Sequence, residues 1–160
     1  MILRRAKLED FEIFKRLRED KENLYQFLYI NSNKEESTTV SENQWIFDDS
    51  IFESYNNYTI EQFQKELESS TLLYMIQDSS EVIGYISLFY CSNNKYKIAE
   101  WAMFNPEDDN KKMEVLNCLR KLKLPRLRSF SICTINNDVA MFLIKNGFYS
   151  SGYAFLELKI

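Results

Sequence analysis

The sequence predicts one α+β domain: a mixed, mostly antiparallel sheet of about six strands with a single central parallel step, and helices on both faces. Three observations carry this reading. First, β-rich segments at 71–77, 82–90 and 96–104 follow one another across the turns Asp78–Glu81 and Ser92–Asn94, which are short enough to force antiparallel hairpins. Second, a helix over about 111–122 has Val115, Leu119 and Leu122 inward and is stopped by Pro125. It leads to a strand at 128–134, and such a crossover is right-handed and parallel. Third, the stretch from Pro125 to Ile160 runs strand, Asn-Asn turn, short helix, Asn-Gly-Phe, strand.

Taken in order, residues 2–6 form a first strand, and Glu9 to Arg18 spaces Phe11, Phe14 and Leu17 along one helical face. A second helix is expected over 21–30, with Leu24, Phe27 and Leu28 inward. Residues 31–58 give the weakest pattern, with Asn, Ser, Glu and Thr punctuating Trp45, Phe47, Ile51 and Phe52. Thr59 and Gln62 then make a capping box, each side chain serving the other's backbone N–H, and Ile60, Phe63 and Leu67 give the helix that follows its buried stripe. Near the C-terminus, Asn136, Asn137 and Asp138 start a helix whose body, Val139 to Ile144, is apolar almost all round. From Tyr149 to Ile160 the pattern alternates with period two. Glycine occurs only at 84, 147 and 152, so each marks a backbone requirement; Gly147 sits where a left-handed C-cap is wanted.

With 160 residues, 45% hydrophobic and 15% aromatic, the chain is one domain with ample material for a core. A net charge of −4 argues against a general binder of nucleic acid or anionic membrane, and it suits a cationic or amine substrate. Histidine is absent, which excludes Ser-His-Asp and Cys-His nucleophile systems and HExxH zinc sites; no metal is expected. Proton transfer would fall to Asp, Glu, Tyr, Lys, Cys or water. Cys91, Cys118 and Cys133 are odd in number and sit in apolar segments, so buried, reduced thiols and a cytoplasmic setting are expected. The N-terminal residues show no signal peptide, and the longest apolar run, Val139 to Ile144, is far too short to span a bilayer.

The pattern Asn136-x-x-Val139-x-x-Phe142-Leu143-x-Lys145-x-Gly147-Phe148 resembles the closing motif of the GNAT-type N-acetyltransferases, an acetyl-CoA-dependent superfamily. Ile2 to Asp10 resembles the family's first strand and helix start, and Val82 to Ile86 its third strand, so the resemblance covers nearly the whole chain. It implies that acetyl-CoA is the co-substrate and that its pantetheine arm lies where two central parallel strands splay apart, pairing with the backbone of Ala102, Met103 and Phe104. Asn136 and Phe142, from the closing motif, fall to the cofactor side as well.

The family's pyrophosphate loop departs from the pattern. Where a basic or amide residue and two glycines would be placed, this chain has Asp109, Lys112 and Glu114, with Glu107 and Asp108 adding negative charge. Two readings stay open. In one, Asn105 caps a helix that begins at Pro106, and acids decorate its first turn without any phosphate site. In the other, residues 105–109 are a loop, the helix begins near Asn110, and Lys111 and Lys112 supply point charges in place of the glycine loop.

Glu100 is the expected base. Its period-two neighbours Ile98, Ala102 and Phe104 make its face apolar, which would raise the carboxyl toward the working range of a general base. The general acid that the resemblance implies, a Tyr seven residues after the helix-opening Asn, is replaced by Leu143; Tyr149 and Tyr153 are nearby packing residues. Tyr25, Phe27, Tyr29, Trp45, Phe47, Asp48, Asp49, Tyr55 and Tyr58 fall in the region that covers the acceptor cleft in this fold. The expected activity is acetyl transfer to a primary amine, a small molecule or a peptide α-amine, by direct attack. The alternative is a catalytically silent module of the same fold that binds a small ligand or a protein partner. A homodimer is compatible with either.

Overall fold

The computed structural model describes residues 1–20, 57–134, 136–152 and 155–160. The helix expected over 21–30, and the aromatic and acidic run apart from Tyr58, lie outside the described residues, as does Tyr153. Strand β1 (Ile2–Arg5) leads through a 3₁₀ turn (Leu8–Asp10) into α1 (Phe11–Glu19). After α2 (Ile60–Glu68) come β2 (Leu72–Asp78), β3 (Glu81–Tyr90) and β4 (Lys95–Met103). Then follow α3 (Asp109–Arg120), β5 (Ser129–Cys133), α4 (Asn137–Lys145), β6 (Tyr149–Gly152) and β7 (Phe155–Lys159). The strands form one seven-stranded sheet in the order β1-β2-β3-β4-β5-β7-β6.

Both short turns make hairpins, and left-handed residues take the chain round: Ser79 in the first, Asn93 and Asn94 in the second. The parallel step is β4 against β5; every other pairing among the described strands is antiparallel. The C-terminal segment makes two strands where one was expected. It reverses after Gly152, so that β7 pairs with β5 on one side and β6 on the other.

Two cores lie on opposite faces. Ile86, Leu88, Ile98, Trp101 and Met103 pack under α3 (Val115, Leu116, Leu119) and α4 (Val139, Phe142, Leu143). On the other face Phe14 and Leu17 of α1 and Phe63 of α2 pack on Met75, Tyr85 and Ala102. Each fully buried side chain of this size contributes about 1.5–3 kcal/mol.

Helix ends follow their local chemistry. Thr59 and Gln62 form the expected capping box (3.2 and 2.8 Å), but Ile60, at the first helical position, is exposed and only Phe63 is fully buried. α3 ends at Arg120, so Leu122 lies beyond the helix and still packs against the core. Gly147 is left-handed (φ 98°), and α4 closes as a Schellman turn, with Phe148 N–H to Leu143 O (3.1 Å) and Gly147 N–H to Ile144 O (3.2 Å). Of the three cysteines only Cys133 is fully buried; Cys91 and Cys118 are half-buried.

Candidate functional site

The parallel ladder between β4 and β5 is short. It pairs Lys95 with Ser129 through Ile98 with Ile132, and there it stops. β4 continues to Met103, while β5 stays with β7 along its whole length, so the two central strands part after Ile98. A β-bulge marks the same place: Leu88 opposes Ile98 and Ser87 opposes Glu100, leaving Ala99 as the extra residue. An inserted residue reverses the face on which later side chains fall. Thus Ile98 joins the α3/α4 core, whereas Glu100 and Ala102 turn to the α1/α2 face.

Beyond the bulge β4 lies against β3. Phe104 donates its N–H to Ile83 O (3.0 Å), and a Cβ on Gly84 would sit 2.4 Å from Ala102 O. In an antiparallel ladder alternate residues aim at the same neighbour, so Ala102 and Phe104 serve β3 and Met103 turns its N–H and C=O toward the edge that β5 has left. Of the three residues expected to receive the pantetheine amides, one presents its backbone to the gap.

Glu100 sits at the parting, 8% exposed, and its surroundings are not apolar. Arg18 of α1 donates to Oε1 at 2.7 Å and to Oε2 at 3.3 Å, and the Tyr85 hydroxyl donates to Oε2 at 2.6 Å. Arg18 also forks onto Glu66 of α2 (2.9 and 3.1 Å), where the Tyr58 hydroxyl donates as well. Burial and the bond to Glu66 push the Tyr58 phenol well above its ordinary range, so it stays a proton donor. The Arg18 guanidinium lies over the rings of Phe14 (4.6 Å) and Tyr58 (4.9 Å). The neighbours expected from alternation with Ile98 are therefore not the ones found: the bulge sets Glu100 among guanidinium and phenol donors instead of apolar side chains.

The chain is similar in fold to solved structures of N-acetyltransferases. The chain is similar to the PaiA N-acetyltransferase of Thermoplasma acidophilum, solved in complex with coenzyme A, with a TM-score of 0.62 and 17% identity over 99% of this chain and 98% of that one. A Vibrio cholerae spermidine N-acetyltransferase SpeG variant gives 0.62 at 12% identity, over 99% and 95% of the two chains. Mycobacterium smegmatis RimJ, in complex with CoA-disulfide, gives 0.59 at 12% identity, over 98% and 80%. The fold is the GNAT fold. No family model and no curated protein matches the sequence.

The GNAT fold directs attention to the start of α3. The helix begins at Asp109, close to the start near Asn110 of the second reading, and Asn105 and Pro106 precede it. Yet its N-terminus is closed in the manner of the first reading, by a carboxylate: Asp108 accepts from Lys111 N–H at 3.1 Å. The lysines diverge. Lys111 Nζ pairs with Asp78 at the β2–β3 turn, and this bond raises the lysine and lowers the carboxyl from their ordinary ranges. Lys112 is buried, with Nζ 2.7 Å from Asp109 Oδ1 and 4.4 Å from the Phe142 ring centre.

A cleft of about 360 Å³ opens between the starts of α3 and α4, lined among others by Glu107, Asp109, Lys112, Asp138, Phe142 and Lys145. Asn136 is also on its wall, with Oδ1 capping α4 through the N–H groups of Asp138 (3.0 Å) and Val139 (3.2 Å). Lys112, Asn136 and Phe142 are therefore brought together; Lys111 is turned away, and Asn110 is exposed outside the lining. Sequence reasoning missed Arg18, Glu66 and Tyr85, whose partners are far off in the chain. It also missed Lys97, a cation 3% exposed whose Nζ lies near the rings of Phe89 (6.0 Å) and Phe155 (5.8 Å). The only legible hint was Arg18 itself, a charge next to Leu17 in an amphipathic helix.

Proposed function

We propose that the protein transfers an acyl group, acetyl in the simplest case, from a CoA-type thioester to a primary amine by direct attack. The observation that carries this is the parting of β4 from β5 after Ile98, which leaves a backbone edge at Met103 beside a buried polar cluster. A flexible amide-containing arm can add to that edge as a short strand would. The likeness to PaiA and SpeG supports an amine acceptor, a small molecule or a peptide α-amine.

The amine nitrogen forms a bond to the thioester carbonyl carbon and the C–S bond breaks. The amine's proton leaves to water, and the thiolate takes a proton from water. In this reading Glu100, held by Arg18 and Tyr85 on the α1/α2 face, anchors β4 where it parts from β5 and moves no proton. The test is thermal unfolding with acetyl-CoA and with CoA. A ligand that binds only the native state stabilises it by about 2.7 kcal/mol at a hundredfold excess over Kd, so both ligands should raise the melting temperature.

A second reading is favoured by one observation, the Asp108 carboxylate on the α3 N-terminus, where a phosphate would be received. In that reading the chain is a silent module of the GNAT fold that binds another small ligand or a protein partner. No shift at millimolar acetyl-CoA would support it.

A further inference from the structure

We propose that the acyl donor is recognised through its pantetheine arm alone, and that the nucleotide diphosphate contributes nothing to binding. The protein would then accept acyl thioesters of pantetheine whatever they carry beyond it. This rests on the acyltransfer reading and names the donor class for the same cleft.

A diphosphate is held at a helix start by exposed backbone N–H groups, helped by cations. Here both helix starts that face the cleft already give N–H groups to the chain's own side-chain oxygens. Asp108 takes the Lys111 N–H of α3, and Asn136 takes the N–H groups of Asp138 and Val139 of α4. The two cations of the first turn of α3 each already face a carboxylate, Lys111 that of Asp78 and Lys112 that of Asp109. Around the cleft stand Glu107, Asp109 and Asp138 against Lys112 and Lys145, an excess of negative charge toward any incoming phosphate. The strand edge at Met103 differs in kind. It is neutral backbone, suited to the amides of a pantetheine arm and indifferent to what lies past them.

The experiment is calorimetric titration of the full chain with CoA, 4′-phosphopantetheine and pantetheine at low and moderate salt, with acetyl transfer measured from acetyl-CoA and acetyl-pantetheine. Expected are dissociation constants within about threefold of one another, CoA binding no weaker at higher salt, and kcat/KM values for the two donors within about threefold. Binding of CoA thirtyfold or more tighter than pantetheine would overturn the proposal and leave the acyltransfer reading standing. Failure of all three to bind at millimolar concentration would overturn both. In Asp108→Gly, which uncovers the amide, CoA should gain about tenfold and pantetheine nothing; an unchanged CoA affinity would contradict the role given to Asp108.

Discussion

Replacing Glu100 with Gln separates an anchor from a base. The carboxylate accepts from Arg18 at 2.7 and 3.3 Å and from Tyr85 at 2.6 Å, in a site 8% exposed. Gln keeps the size and one acceptor but sets a neutral group against the guanidinium. Removing one partner of a buried ion pair costs about 3–5 kcal/mol when the other is left alone. Here Arg18 retains its fork onto Glu66, so the loss is nearer that of one charge-assisted hydrogen bond, about 2 kcal/mol. For a chain of this size that lowers the melting temperature by about 4–8 °C. Thermal unfolding by circular dichroism measures it, alongside turnover well below the transition. The anchor reading expects the drop in stability with kcat within about tenfold of wild type. An unchanged melting temperature with turnover slowed by about two orders of magnitude or more would refute it and make Glu100 the proton acceptor.

Two further outcomes follow. Gly84→Ala places a methyl 2.4 Å from Ala102 O, a backbone atom that the β3–β4 ladder cannot move cheaply. Overpacking of this kind costs about 1–3 kcal/mol or more, read as a lower urea midpoint, and a wild-type midpoint would contradict the close approach of the two strands. Asp10 tests the acid limb. Burial raises its carboxyl, but the Arg4 fork (2.7 and 2.8 Å) and the Lys7 N–H (2.8 Å) outweigh this, so in the folded chain it lies below its ordinary range. Its stabilisation is therefore full above the unfolded value, about pH 4, and is lost as pH falls through the folded one. Asp10→Asn should be less stable than wild type at pH 7, and the gap should close below about pH 4; a gap that persists unchanged at low pH would exclude the ion pair as its source.

Much of the fold was legible because local chemistry decides it. Two turns of a few polar residues impose antiparallel hairpins, Pro125 separates a helix from a strand, and Thr59, Asn136 and Gly147 announce helix ends. What escaped depends on registration between distant segments. The bulge at Ala99 arises from the mismatch between β4 and β3, and no residue type near it signals an insertion, so alternation placed Glu100 beside Ile98. Arg18 reaches Glu66 and Glu100 across 48 and 82 positions, beyond any spacing argument. The reversal after Gly152 falls in a polar segment that alternation alone could not distinguish from continuous strand. At α3 the two readings each held half the answer, because helix start and cap are separate decisions: the helix begins late, and the acid before it still closes the end.

The most direct measurement of the central claim is mass-spectrometric detection of N-acetyl product. Purified chain is incubated with acetyl-CoA or acetyl-pantetheine and a panel of primary amines, namely a polyamine, an aminoglycoside and a peptide with a free α-amine, and released thiol is followed in parallel. The account predicts a protein-dependent gain of one acetyl group on at least one amine, matched mole for mole by free thiol, from either donor. Absence of product from every pair, with no shift in melting temperature from either donor, would contradict it.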